Sequence, residues 1–171
     1  MMASVALALR GRQVVITAVL TGAVALLVTP GTAVASGCVA GVHQSGSVKA
    51  RTFCGPASVV LNLGGKKVAL RGGQCTRTSS YVAVNIGTVV LGTSNKPAPN
   101  YFGIDVGKTP GGGSPAPHDG TYKAFALSFA VGGKLYSSLS ATATLKNGRT
   151  RGTFSGKLLA GGSASGAFKC S

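Results

Sequence analysis

Apolar and polar side chains alternate along the chain from residue 55 to its end, in short segments separated by glycine pairs. In the first segment Val59, Leu61 and Leu63 fall on one face, because the side chains of a β-strand alternate with a period of two. Gly64-Gly65 then supplies a tight hairpin turn, whose central positions favour a positive φ. The pattern repeats and predicts a hairpin over 57–71 and strands over 81–86, 88–91, 101–106, 121–131, 134–145, 151–159 and 163–170.

Such a series amounts to about nine strands, at the spacing of an antiparallel β-sandwich or a barrel-like meander. Sequential glycine turns indicate up-and-down connections for the last four strands. The strand over 121–131 is predicted to bury Phe125 with Leu127, and the next strand to turn Leu135 and Leu139 inward. We therefore predict an all-β domain over 55–171, stapled by disulfides.

Two stretches interrupt the alternation and are predicted to be loops from their proline, glycine and asparagine content. They are Gly92–Asn100 and the longer Lys108–Gly120, which holds three prolines and four glycines. Residues 36–54 are mostly small, polar and aperiodic, and they are predicted to be an extended N-terminal segment.

The first 35 residues have the pattern of a secretory signal peptide. Arg10 and Arg12 precede the apolar run Val14–Val28, and Ala33-Val34-Ala35 provides small residues at a cleavage site. The run is shorter than the roughly 20 residues that a membrane span needs, so we expect no transmembrane segment after processing. Ala35-Ser36-Gly37-Cys38 also resembles a bacterial lipobox, and lipidation of Cys38 is the alternative to plain secretion.

Cleavage after Ala35 leaves four cysteines, Cys38, Cys54, Cys75 and Cys170, which allow three pairings. An exported protein meets an oxidising environment, so the cysteines are expected to form two disulfides. The preferred pairing is Cys38–Cys54, which closes a short loop, with Cys75–Cys170, which ties the start of the sheet to its last strand. A metal site is disfavoured because the spacing lacks any C-x-x-C pair.

Few residues could carry out catalysis. The chain downstream of the leader offers His43, His118, Asp105 and Asp119, and no glutamate. Adjacent residues on an extended segment point apart, so His118 and Asp119 do not form a ready dyad, and Asp105 has the parity of a solvent-facing residue. We expect a non-enzymatic protein without a cofactor or a metal.

The charge is the unusual feature: 17 Lys and Arg stand against two acids, and only two of the cations precede residue 36. Such a surplus attracts polyanions, so anionic cell-envelope polymers or acidic lipids are candidate partners. The alternative is a dispersed charge that keeps the protein soluble. Nucleic acid is not expected, because few aromatic residues are present to stack on bases. The candidate contacts beside the first hairpin and the Asn147-Gly148 turn are Lys66, Lys67, Arg71, Lys146, Arg149 and Arg151.

Several short motifs resemble the mycobacterial 19 kDa lipoprotein antigen family. They are Gly55-Pro56 before the hairpin, Gly73-Gln74-Cys75-Thr76, the strand Val82–Gly87, Gly152-Thr153-Phe154-Ser155-Gly156 and the ending Ser165–Cys170. The resemblance covers about residues 55–170, and Cys54 has no counterpart in it. It implies an exported, surface-associated, antigenic protein without enzymatic activity, in which Cys75 and Cys170 match the family's cysteines.

A second class of function stays open, that of a secreted binding module. An inhibitor of an extracellular enzyme needs an exposed rigid loop, and Lys108–Gly120 is the candidate. A small-ligand carrier would use the interior of a β-barrel.

Overall fold

A computed structural model describes residues 37–92 and 98–171 of the chain, so the predicted leader over 1–35 and its cleavage after Ala35 lie outside the described residues. These described residues form eleven strands. Their bounds are β1 (Gly41–Ser45), β2 (Val48–Phe53), β3 (Ala57–Leu63), β4 (Lys66–Arg77), β5 (Tyr81–Leu91), β6 (Tyr101–Gly107), β7 (Gly120–Val131), β8 (Lys134–Ser138), β9 (Ser140–Lys146), β10 (Arg151–Lys157) and β11 (Ser163–Lys169).

Eight of the strands form a closed antiparallel barrel. Its order around the wall is β3, β4, β5, β6, β7, β9, β10 and β11, and β11 pairs with β3 to close the ring. Neighbours in the wall follow one another along the chain, apart from the closing pair and the interposed β8, so the connections run up and down. This confirms the predicted all-β, antiparallel, disulfide-stapled fold and selects the barrel rather than the sandwich.

Three strands lie outside the ring. β1 and β2 form a hairpin whose second strand pairs with the end of β5, from Gly87 to Leu91, and β8 pairs with the end of β7. The segment 36–54, expected to be merely extended, therefore contains a hairpin. Its sequence pattern is weak because β1 is almost wholly exposed and only Phe53 of β2 is fully buried.

Apolar side chains fill the barrel interior. Phe102 and Phe154 approach each other across it, with ring centroids 5.1 Å apart. The largest fully buried side chains are Phe102, Phe129, Leu61, Ile86, Ile104, Leu127, Leu145, Val59, Val82, Val84 and Val106. This core follows the predicted alternation on β3, β5, β6, β9 and β10.

A β-bulge in β7 reverses the alternation at one point. Residues 105 and 106 of β6 pair with residues 126 and 124 of β7, which leaves Phe125 without a partner. Ala124 takes the inward position and Phe125 is 41% exposed. The prediction that Phe125 is buried was wrong, because an extra residue in one strand shifts every side chain beyond it to the other face.

The chain between β8 and β9 also departs from strict alternation. Leu135 is 64% exposed and Leu139 is 78% exposed, so the prediction that both face the core was wrong. β8 buries Ser138 and places Tyr136 against Phe129, with ring centroids 5.1 Å apart, so its inward parity is the opposite of the expected one. The two strands, predicted as one, separate at Leu139.

Two disulfides join the pairs that the sequence analysis preferred. Cys38–Cys54 anchors the chain before β1 to the residue after β2, with the Cα atoms 6.0 Å apart. Cys75–Cys170 joins β4 to the residue that follows β11, with the Cα atoms 5.3 Å apart. Disulfides persist in oxidising compartments, so they indicate an extracytoplasmic protein.

Candidate polyanion-binding face

Strand register brings four cations into one row on the outside of the barrel. Arg71 of β4 and Lys169 of β11 both lie opposite Ser58 of β3. Lys169 is in turn opposite Arg151 of β10, and Arg151 is opposite Lys146 of β9. All four cations are exposed. We call Arg71, Lys169, Arg151 and Lys146 the basic row.

The row crosses five adjacent strands. Neighbouring strands are about 4.8 Å apart, so the Cα positions of Arg71 and Lys146 are separated by about 19 Å along the barrel wall. Each cation points outward because the residue beside it in the chain, such as Phe168 beside Lys169, is buried in the barrel. The row is therefore a consequence of the register and not of any charged run in the sequence.

A shallow apolar groove of about 320 Å³ adjoins the row. Its floor contains Val60, which is 49% exposed and lies opposite both Ala69 and Ala167. Arg71 and Arg151 line the same groove. A ligand that contacts the cations would also cover small apolar side chains.

The two acids of the chain differ in their relation to the row: Asp105 lies across the barrel from it, whereas Asp119 lies at its β9 end, beside the turn that links Lys146 to Arg151. Asp105 is on β6, which is four strands from β11 in either direction around the barrel. It is partly buried, and burial raises the pKa of its carboxyl group. The oxygens of Asp119 accept hydrogen bonds from the backbone amides of Gly148 at 3.1 Å and Arg149 at 2.7 Å. The Asp119 carboxylate therefore lies beside the Lys146 end of the basic row, and Asp105 lies outside it.

Of the six cations predicted to contact a polyanion, the register places Arg71, Lys146 and Arg151 in the row. Lys66 and Lys67 lie at the other end of β4, beside the β3–β4 turn. Lys67 shares the outer face of the barrel, where it lies opposite Asn62.

Arg149 lies outside the row and makes a structural contact. Its guanidinium donates a hydrogen bond to the carbonyl oxygen of Ala116 at 3.0 Å, and its own backbone is left-handed, with φ 61°. It therefore holds the Lys108–Gly120 loop against the turn that follows β9.

Sequence reasoning missed Lys169. The signal for it was present, because Lys169 alternates with the inward Phe168 and Cys170 at the end of the last strand. What the sequence did not show is which strand lies beside β11. The pairing of β11 with β3 and β10 is what puts Lys169 between Arg71 and Arg151.

The histidines and aspartates do not assemble a catalytic group. The carbonyl of His118 accepts a hydrogen bond from the hydroxyl of Tyr122 at 3.0 Å, while Asp119 binds backbone amides. The ring of His43 contacts the carbonyl of Val39 at 3.0 Å. In residues 37–92 and 98–171, no three His, Cys, Asp or Glu side chains come together as a metal site would require.

The Lys108–Gly120 loop is ordered. Ala116 is fully buried and its amide donates a hydrogen bond to the carbonyl of Ser80 at 2.8 Å. Thr109 and Gly112 exchange backbone hydrogen bonds of 2.8 and 3.1 Å. The exposed prolines Pro115 and Pro117 flank the buried anchor.

A buried tyrosine marks the far side of the barrel. The hydroxyl of Tyr101 donates a hydrogen bond to the side-chain oxygen of Asn85 at 2.8 Å, and its ring packs beside Phe53, with centroids 6.1 Å apart. Burial raises the pKa of Tyr101 to about 12, and the charge of Asp105 adds to the effect. The hydroxyl hydrogen bond and the packing of the ring indicate a structural role.

The part of the chain that the structure describes contains no helix with the length and apolarity of a membrane span. Comparison with protein-family models, with curated proteins and with solved structures gave no match.

Proposed function

We propose that the protein is an exported, non-catalytic barrel that is retained on anionic polymers of the cell envelope through its basic row. One observation carries the proposal: four exposed cations lie in one row across five adjacent strands, with only Ser58 between Arg71 and Lys169 and with Asp119 at the β9 end of the row. Neighbouring cations repel one another, so their alignment is unfavourable unless an anion lies across them.

The spacing suits a chain of anionic groups. Neighbouring cations of the row are about 5 to 10 Å apart by strand spacing, which is within the Debye length of roughly 10 Å at 0.1 M salt. Their attraction for a polymer therefore adds along the row. A flexible anionic polymer can follow the curved wall, whereas a small anion would contact only one or two of the cations.

The proposed location draws on two further observations. The disulfides indicate an extracytoplasmic environment. The resemblance to the mycobacterial 19 kDa lipoprotein antigen family favours a bacterial surface-associated protein, either secreted or anchored through a lipid. Because Cys38 is joined to Cys54, this structure favours the secreted form over lipidation of Cys38.

The test neutralises the row and measures retention. The variant Arg71→Gln, Lys146→Gln, Arg151→Gln, Lys169→Gln is compared with wild type for binding to purified cell envelope over a salt gradient. The matched control carries Gln at four exposed cations off the row, Lys49, Lys66, Lys108 and Lys123, and so has the same net charge.

We expect the row variant to lose at least about tenfold in retention, and the control to lose much less. Equal losses in both variants would mean that net charge alone acts, and the row would have no special function. Retention that survives removal of the anionic polymers from the envelope would also contradict the proposal.

The Lys108–Gly120 loop supports a second candidate, an inhibitor of an extracellular enzyme. The anchored Ala116 and the Thr109–Gly112 pair hold its backbone in place, which is what such a loop requires. Replacing Pro115 and Pro117 by glycine would abolish inhibition, and unchanged inhibition would remove this candidate. The filled interior gives no support to a small-ligand carrier.

A further inference from the structure

We propose that three exposed leucines, Leu135, Leu139 and Leu159, dock the barrel onto an anionic lipid bilayer. Their exposed fractions are 64%, 78% and 67%, the highest among the leucines of the described chain. We call them the leucine patch. This surface is separate from the basic row, and the proposal does not depend on polymer binding.

Backbone contacts bring the three leucines onto one region of the barrel wall. Leu135 and Leu139 lie four residues apart along β8 and its end, which is about 13 Å in an extended strand. The amide of Leu159, in the β10–β11 turn, donates a hydrogen bond of 2.9 Å to the carbonyl of Ser137, midway between them. The backbone of Leu159 therefore lies beside the middle of the segment that carries the other two leucines.

Lysines border the leucine patch. Lys134 precedes Leu135, and Lys157 lies opposite Ser140, the residue after Leu139. Both lysines are exposed. On an anionic bilayer, the leucines would enter the acyl region and the lysines would lie at the level of the headgroups. The patch therefore has the apolar and cationic groups that such a surface binds.

A second copy of the chain is a poorer fit. A two-fold contact between leucine patches would bring Lys134 and Lys157 of each copy together, and the protein already carries a net charge of +15. An anionic membrane satisfies the leucines and the lysines together. Charge complementarity thus selects the lipid surface as the occupant.

The patch and the basic row lie at different ends of the barrel wall. Arg151 of the row and Lys157 of the patch border are the first and last residues of β10. Six residues of extended strand separate them by about 20 Å. One molecule could therefore contact a membrane with one end and a wall polymer with the other.

The chain contains no tryptophan, so a single introduced tryptophan reports on its own surroundings. The test uses Leu139→Trp, with Val42→Trp as the matched control, because Val42 is 52% exposed on β1. Emission is recorded with phosphatidylglycerol vesicles and with phosphatidylcholine vesicles. We expect a blue shift for Leu139→Trp on the anionic vesicles and none for Val42→Trp.

The two reporters also separate the patch from a tether at the N-terminus, since a tether alone would leave residue 139 in water. Equal spectra with and without anionic vesicles would overturn the proposal. A blue shift for both reporters would overturn it as well, because it would place no particular face on the bilayer.

Loss of the leucines is tested by co-sedimentation with the same anionic vesicles. The variant Leu139→Ser, Leu159→Ser is expected to bind at least about tenfold more weakly than wild type. The control Val39→Ser, Val42→Ser removes two exposed apolar side chains elsewhere and is expected to bind within about twofold of wild type.

Unchanged binding of the leucine variant would show that charge alone holds the protein, and the patch would have no part in it. A dimer of wild type that the same substitutions dissociate would assign the patch to a second copy and also overturn the proposal. Variants of the basic row, which test polymer retention, are expected to keep the Leu139→Trp emission shift, so the two proposals fail separately.

Discussion

Replacing Asp119 by alanine is expected to destabilise the barrel by about 2 kcal/mol. Three of the four residues of the turn after β9 have left-handed backbones, with φ values of 55° at Asn147, 62° at Gly148 and 61° at Arg149. A left-handed conformation costs a residue other than glycine roughly 1–2 kcal/mol. The carboxylate of Asp119 offsets this cost by binding the amides of Gly148 and Arg149.

The magnitude follows from those two bonds. A hydrogen bond to a charged group contributes about 1.5–3 kcal/mol when it is shielded from water. Asp119 is exposed, so water replaces part of each bond in the alanine variant. We therefore expect about 1 kcal/mol for each bond. Asp119→Asn keeps one acceptor oxygen but replaces the other with an NH2 group, which cannot accept the second backbone hydrogen bond. This substitution is expected to cost about half as much as Asp119→Ala.

A double-mutant cycle tests the physical reason. In a background with glycine at 147, which keeps the amides of Gly148 and Arg149 and the contact of Arg149 with Ala116, Asp119→Ala is expected to cost about as much as in the wild type, because the same two bonds are lost. Stability is measured by urea denaturation followed by circular dichroism, with both disulfides intact and with the m-value compared between variants. A loss below about 0.5 kcal/mol in the wild type, or a loss in the glycine background that differs from it by more than about 1 kcal/mol, would refute the reasoning.

For three other changes, the structure sets the direction of the expected effect on stability. The double substitution Cys75→Ser, Cys170→Ser removes a disulfide between residues that are 95 apart in the chain. Chain entropy predicts that the free energy of unfolding falls by about 4–5 kcal/mol, which calorimetry would measure. A much smaller loss would show that the unfolded chain without this disulfide stays compact. The pKa of Tyr101 is raised from 10.0 to about 12, so the folded state holds the phenolic proton more tightly than the unfolded chain does. Its contribution to stability is present below about pH 10 and is lost as the pH rises towards about 12. The free energy of unfolding, measured by urea denaturation across this pH range, should show this decline in the wild type but not in Tyr101→Phe. Gly103 lies beneath the ring of Tyr101, and a methyl group there would collide with the Tyr101 hydroxyl. Gly103→Ala is therefore expected to lower the free energy of unfolding by about 1–3 kcal/mol. An unchanged urea midpoint would mean that the ring moves aside at no cost in stability.

Side-chain alternation predicted the fold because the barrel has a single apolar interior. Leu61, Ile104 and Leu145 are buried where their parity places them. The alternation failed where the backbone carries one extra residue. Phe125 is apolar, and nothing in its neighbourhood of the sequence distinguishes a bulge from a regular strand, because the bulge depends on the register against β6.

The candidate site was harder to predict for a related reason. Cations that are far apart in the sequence, such as Arg71 and Lys169, meet across β3 only because the barrel closes. The sequence shows the parity of each cation but not its neighbours on adjacent strands. Arg149 shows a contact that the sequence did not indicate, since its guanidinium binds the carbonyl oxygen of Ala116 in the Lys108–Gly120 loop.

Barrel closure bears on how the protein avoids aggregation. The pairing of β3 with β11 joins the first and the last strand of the barrel and closes the ring. If this pairing opens, two strand edges become free. Free edges pair readily with other chains. Cys170 follows β11, and Cys75 lies on β4, the strand next to β3. In the oxidised protein the bridge keeps these two edges within reach of each other, so they re-pair within one molecule faster than either can recruit another.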